Sequence, residues 1–361
     1  MLTMAGLPLS IGVLPTGEPH LGSEVVEWRE LEANTIGDLM RQHSDPLKAL
    51  STGEIPAIII RGALGAAEAA AVSKRLVHDP NSLGLFERES GNKKGKQANF
   101  GAFGVMLSRL MGLSASQVAD RAVYFRRKFE ENNLMHPVNT LHRTLEAISA
   151  GRKVGVGVHR ANNASLSVGG AYRMHFNNVT FPVHFDSLHA KELIRYGCDK
   201  KRRKFHWGSA SRGRQAEKFE DLHRFPQQLA ALITLQRSER PGAEVSVFNL
   251  HMKDIAAACE MPIWVTQHNI QLLAAEATNM FVHEHNKQWH QTYGYRVDDM
   301  MRWRDQLKID QRGRPLHLEP GDLYIFDANR VHTVHQVHGG LKRLSLGAFV
   351  GFNEDELRIW S

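Results

Sequence analysis

The sequence predicts an α+β protein in which helices come first and many short strands follow, closing into a barrel or sandwich with helices on one side. Two observations carry this. Helical stretches fall between about residues 66 and 149, and in the one from Ser114 apolar side chains recur every three to four positions, the period of a helix that buries one face. From Lys153 the period falls towards two, and short apolar runs alternate with turn signals such as Pro241-Gly242, Pro320-Gly321 and Gly339-Gly340.

Residues 1–50 carry few strong signals and read as an extension packed on the main body. Residues 51–361 read as a single domain, helical over about 62–150 and built of strands over about 153–352. Ile55 to Ile60 forms a short strand, Gly62 to Gly65 a turn, and Ala66 to Val77 an alanine-rich helix. Asp79 to Gln97, rich in Gly, Asn and Lys, is loop-like. Ser114 with Gln117 makes a capping box for a helix to about Glu131, whose Val118, Ala122, Phe125 and Phe129 share one face. A second helix runs from about Val138 to Ser149, ended by Gly151. Strands are expected at Val154–Val158, Ala171–Val179, Pro182–Leu188, Leu229–Gln236, Glu244–Asn249, Leu323–Phe326, His332–Val337 and Leu344–Phe352.

Composition narrows the class. Hydrophobic residues at 42% and charged residues at 23% are ordinary for a globular domain. No apolar run approaches the roughly 20 residues of a membrane span, so no membrane partner is expected. Met1 to Gly17 lacks the basic start and small-residue cleavage site of a secretory signal. Cys198 and Cys259, with no metal-type spacing, argue for a reducing compartment, and a cytoplasmic location is expected. Much of the net charge of +7 sits in Lys200, Lys201, Arg202, Arg203 and Lys204, with Arg212 and Arg214 close behind. Charge blocks are usually solvated loops, and that reading is preferred here over a nucleic-acid patch.

The chemistry centres on His184-Phe185-Asp186. On a strand, alternate side chains share a face, so one imidazole and one carboxylate stand together with the Phe185 ring turned away. One more imidazole would complete a facial set of two His and one carboxylate, which suits non-haem Fe(II) and leaves three positions open. His332 is the preferred third ligand. His335 and His338 are its rivals, and His283-Glu284-His285 is a competing pair that lacks the spacing of a helical zinc motif. Downstream, Gly339-Gly340 permits a tight hairpin reversal. Arg343 and Ser345 then share a strand face, a planar donor fork beside a hydroxyl, well suited to gripping a carboxylate. Arg173, just before the motif strand, is a candidate for an acidic substrate, with a barrel-edge salt bridge as the competing role.

Taken together and in this order, His184-x-Asp186, Pro320-Gly321-Asp322-Leu323-Tyr324-Ile325-Phe326, His332-x-Val334 and Arg343-x-Ser345 resemble the Fe(II)/2-oxoglutarate-dependent oxygenases. So does Ala231 to Leu235 with Pro241 to Val245. The resemblance covers about residues 55–352. It implies a double-stranded β-helix (jelly-roll, cupin-like) core with flanking N-terminal helices and a long insertion between the metal-ligand strands. It implies that His184, Asp186 and His332 bind Fe(II), that Arg343 with Ser345 binds the far carboxylate of 2-oxoglutarate, and that O2 is the other co-substrate. It also implies that Asp186 fills the position that is Gly or Ala in related halogenases, leaving hydroxylation, desaturation or oxidative ring closure. Three functions stay open at this point: an oxygenase of a small molecule such as an amino acid or specialised metabolite, an oxygenase of protein or nucleic acid, and a barrel kept as a binding module. The Arg-x-Ser pair weighs against a histone-demethylase type, where Lys usually grips the co-substrate. The complete ligand set weighs against a module without activity.

Overall fold

The computed structural model describes residues 28–78, 86–88, 100–106, 110, 113–159, 162–175, 181–184, 186, 225, 227–237, 245–251, 313–334 and 342–361. The basic run from Lys200, both cysteines, His283-Glu284-His285, His335, His338 and the Gly339-Gly340 turn lie outside these residues.

Fourteen strands and five α-helices are seen among the described residues. In chain order they are β1 (Leu31–Ala33), α1 (Ile36–Gln42), α2 (Pro46–Thr52), β2 (Ala57–Ile60), α3 (Ala66–Ser73, continued by a π-helical turn), β3 (Glu87–Arg88), β4 (Phe100–Phe103), α4 (Ala115–Glu131) and α5 (Met135–Ala147). The strands β5 (Lys153–Val156), β6 (Ala171–His175), β7 (Phe181–His184), β8 (Gln227–Gln236), β9 (Val245–His251), β10 (Gly313–Leu316), β11 (Leu323–Asp327), β12 (Arg330–Val334), β13 (Arg343–Phe352) and β14 (Glu356–Trp360) follow. The large sheet runs β1-β2-β11-β8-β13-β6-β4-β3, with β14 joining β13 to β5. The small sheet runs β10-β9-β12-β7.

Local chemistry explains the helices. Ser114 Oγ accepts from Gln117 N at 3.3 Å while Gln117 Oε1 accepts from Ser114 N at 2.8 Å, the reciprocal cap expected at the start of α4. Phe125 and Phe129 then pack on Phe103 of β4, with ring centroids 5.9 and 5.0 Å apart. Leu39, Leu47, Leu50, Val138, Leu141 and Leu145 join them in one apolar layer against the outward side chains of the large sheet.

From residue 28 the segment expected as an extension contributes β1, α1 and α2, and its leucines share that layer. Asp45 caps α2 through Lys48 N and also takes both Nη atoms of Arg152, at 3.0 and 2.7 Å. Arg152 Nε donates to Asn353 O at 2.8 Å, so one guanidinium ties the front of the chain to its C-terminal strands.

A second apolar cluster fills the space between the sheets. Ala57, Ile59, Leu232, Tyr324 and Phe326 of the large sheet meet Val245, Val247 and Val334 of the small one. The alternation along each strand is therefore two-sided: even-numbered residues of β11 point into the interior, odd-numbered ones at the helices.

The expected hairpin carrying His332 and Arg343 is not one. β12 pairs with β7 and β9 in the small sheet, whereas β13 pairs with β8, β6 and β14 in the large sheet. Pro241-Gly242 likewise does not join a paired hairpin, because β8 lies in the large sheet and β9 in the small one. Turn residues report where a chain reverses but not which sheet it re-enters. The strands β1, β3, β4, β10 and β14 also escaped the sequence reading. The shortest of them have too few residues to show a period, and β10 contains Pro315, a residue that reads as loop.

Candidate active site

The site is assembled from both sheets. In the small sheet, β12 and β7 are antiparallel with His332 directly opposite His184. Asp186 lies two residues past His184, and its N–H donates to Ala328 O at 2.8 Å, which keeps it beside β12 after the strand ends. Asp186 Oδ2 is 3.7 Å from His332 Nε2. Two donors each about 2.1 Å from one metal ion can lie up to about 4.2 Å apart, so a single ion can be shared between them. Among described side chains these two form a pair. His184 takes its place by strand register, and its side chain lies outside the described residues.

The His332 ring is held in one orientation. Its Nδ1 is 2.9 Å from the carbonyl oxygen of Arg330. A carbonyl only accepts, so Nδ1 carries the proton and Nε2, the nitrogen facing Asp186, keeps its lone pair. The Phe326 ring meets the imidazole edge-on at 4.8 Å.

The backbone that offers this carbonyl is itself secured. Arg330 Nη1 donates to Asn249 Oδ1 at 2.9 Å, its Nε lies 3.7 Å from Asp327 Oδ2, and Trp28 lies under its guanidinium. Burial pushes the Asp327 carboxyl up to about 6, partly opposed by the charge of Arg330 and the two hydrogen bonds from Asn329.

On the large sheet, Arg343 and Ser345 alternate with Leu344 and Leu346 and face the interior; each is almost fully buried. Arg343 Nη2 donates to Tyr324 Oη at 2.9 Å. Tyr324 stacks on Phe326 with centroids 6.2 Å apart and an interplanar angle of 11°. An unbroken line of contacts thus runs from Arg343 through Tyr324 and Phe326 to His332. Ser345 Oγ makes no hydrogen bond among the described residues, and neither does Thr234 Oγ1 on the adjacent strand. Two buried, unmatched hydroxyls beside a buried guanidinium are what a carboxylate would satisfy.

Arg173 stands one strand over from Ser345, in register with it. Its guanidinium lies 5.0 Å from the Phe349 ring centroid and passes over Gly347, where a Cβ would sit 3.4 Å from Arg173 Nε. The sequence reading named His184, Asp186, His332, Arg343, Ser345 and Arg173, and the structure brings all six positions around one interior. It missed Tyr324, Phe326 and Thr234. The first two stood in an apolar strand where only the period-two phase marks them as inward. Thr234 was the one polar residue in Leu229 to Leu235, a signal that was available.

Residues 25–192 match the family model described as carrier-protein-independent halogenase WelO5. No curated protein matches. Among solved structures, an N-substituted L-amino acid dioxygenase from Burkholderia ambifaria AMMD is similar at 14% identity and a TM-score of 0.43, over 88% of this chain and 90% of that one. The epimerase SnoN from nogalamycin biosynthesis, described as non-haem and α-ketoglutarate dependent, is similar at 12% identity and a TM-score of 0.36, over 84% and 81%. HygX from Streptomyces hygroscopicus, with nickel and 2-oxoglutarate bound, is similar at 10% identity and a TM-score of 0.34, over 87% and 88%.

Proposed function

We propose that this chain, an Fe(II)/2-oxoglutarate-dependent oxygenase, oxidises an unactivated C–H bond of a small molecule such as an amino acid or specialised metabolite, with hydroxylation as the default outcome. The observation that supports it most is the cross-sheet arrangement: His332 opposite His184 with Asp186 Oδ2 3.7 Å away, and a buried Arg343 facing them through Tyr324. We read the alternation of β6 to β9 and of β11 to β13 between the two sheets as the winding of a double-stranded β-helix.

In this reading His184, Asp186 and His332 hold Fe(II), and Arg343 with Ser345 holds the far carboxylate of 2-oxoglutarate. With O2, the bound metal and co-substrate supply the oxidising power for C–H cleavage. The chain supplies the rest. The Nδ1 bond to Arg330 O keeps the His332 lone pair aimed at the metal. Arg343 fixes the length and direction of the co-substrate, and the apolar residues between the sheets keep water from the reacting centre. Arg173 is the candidate for meeting an acidic group of the substrate.

The matched family model is named for a halogenase. A carboxylate at position 186 would take the metal position that a halide needs, so we read this chain as an oxygenase. Desaturation and ring closure use the same ligands. Among the described residues no helix is long and apolar enough to cross a membrane.

The test is a substrate screen, amino acids and related metabolites first, that follows succinate formation with Fe(II), 2-oxoglutarate and O2. Succinate released above the uncoupled background only with a given compound would identify the substrate. Absence of an anaerobic metal-to-ligand charge-transfer band with Fe(II) and 2-oxoglutarate would overturn the reading.

A further inference from the structure

We propose that Thr234 is a third donor to the far carboxylate of 2-oxoglutarate, so that this chain grips that group from two neighbouring strands. The proposal builds on the co-substrate reading above. β13 is flanked by β8 on one side and β6 on the other, and Ser345 is in register with Thr234 on β8 and with Arg173 on β6. Directly opposed residues carry their Cβ atoms roughly 4.5–5.5 Å apart. The Thr234 and Ser345 hydroxyls therefore reach the same carboxylate from either side.

Three features single Thr234 out. First, it and Ser345 are each 1% exposed, and neither hydroxyl has a hydrogen-bond partner among the described residues. A buried hydroxyl left without a partner is destabilising, and Val has nearly the same shape without that cost.

Second, the strand is bent to turn this residue inward. The register between β8 and β13 shifts between Leu344 and Ser345, so that Leu344 is opposite Gln236 while Ser345 is opposite Thr234. Leu235 joins the helix-side core, and Gln236 also turns that way, bonding Ser73 of α3 and the Lys342 carbonyl. Thr234 is left as the last inward residue of β8. Third, Arg173, the other neighbour of Ser345, carries its guanidinium over Phe349, four residues along β13. That leaves the place beside Ser345 on the β8 side to Thr234.

The experiment uses the full-length protein, anaerobic with Fe(II), titrated with 2-oxoglutarate and separately with 2-oxovalerate, which keeps the 2-oxo acid but lacks the far carboxylate. Thr234→Val should raise the Kd for 2-oxoglutarate about tenfold or more, the value of one hydrogen bond to a charged group. Thr234→Ser should stay within about threefold of wild type. For 2-oxovalerate, Thr234→Val should change little, and the ligand-free Tm of that variant should not fall. An unchanged Kd for 2-oxoglutarate, or an equal loss for both acids, would overturn the role of Thr234 while leaving the co-substrate site standing. Failure of the wild-type protein to bind 2-oxoglutarate would instead overturn the reading on which the proposal stands.

Discussion

Replacing Arg343 by Met removes the proposed co-substrate anchor while disturbing packing least. The guanidinium is 2% exposed and donates from Nη2 to Tyr324 Oη at 2.9 Å. A carboxylate held by the guanidinium fork gains two charge-assisted hydrogen bonds, each worth about 1.5–3 kcal/mol. Their loss comes to about 3–6 kcal/mol, or roughly two to four orders of magnitude in the Kd for 2-oxoglutarate. Met has a similar length and no charge, and exchanging a buried ionic group for an apolar one of like volume is often neutral or stabilising. The ligand-free Tm should therefore stay within a few degrees of wild type while binding collapses. Arg343→Lys, which keeps charge but loses the planar fork, should fall between. Anaerobic calorimetric titration with 2-oxoglutarate, paired with thermal unfolding, reads both quantities. A 2-oxoglutarate Kd for Arg343→Met within threefold of wild type would refute the assignment.

His332→Ala should abolish the visible charge-transfer band formed anaerobically with Fe(II) and 2-oxoglutarate; an unchanged band moves the ligand elsewhere. Burial is the largest single influence on the Asp45 carboxyl and would raise it, but the hydrogen bonds from Arg152 and Lys48 N and the charges of both residues together outweigh it and hold the group below its usual range. A depressed carboxyl stabilises above its unfolded pKa and loses that contribution as pH falls through the folded value. Asp45→Asn should therefore destabilise by about 2 kcal/mol at neutral pH and flatten the acid side of a urea-midpoint profile. Asp327 has the opposite sign: its carboxyl is raised from 3.8 to about 6 by burial. The native state binds the extra proton between about pH 4 and 6, so stability falls as pH rises through that window, by up to about 3 kcal/mol. Asp327→Asn should remove that slope, and a variant whose urea midpoints track wild type from pH 4 to 7 would contradict it.

Much of the site was legible because its residue types are unusual for where they stand. A His and an Asp at period-two spacing, and an Arg and a Ser inside an otherwise apolar strand, violate the pattern a core strand needs. The helices were legible for the complementary reason: Ser114 and Gln117 cap α4, and Val118, Phe125 and Phe129 keep its period, so local and tertiary preferences agree. Less was readable where chemistry is shared with the core. Tyr324 and Phe326 look like strand filler, and only their contacts with Arg343 and His332 separate them from Leu323 and Ile325. The segment from β1 to α2 was passed over because its elements are short, yet Leu39, Leu47 and Leu50 are fully buried.

The mistaken hairpin matters most for how the site works. Had His332 and Arg343 lain on paired strands, their spacing along the chain would set the distance from metal to anchor. They lie instead on strands of opposite sheets, and facing sheets are held about 10 Å apart by the side chains between them. Among those side chains, Tyr324 and Phe326 stack on each other and touch Arg343 at one end and His332 at the other. In the proposed site the spacing between metal ligand and anchor is thus set by two aromatic rings on β11 rather than by the number of residues between β12 and β13. Shortening Phe326 to Leu should then weaken 2-oxoglutarate binding by loosening both ends, although Phe326 touches His332 and not Arg343. Inserting two residues between β12 and β13 should leave the Kd within about threefold. If that insertion harmed binding and Phe326→Leu did not, the spacing would depend on the chain between those strands after all.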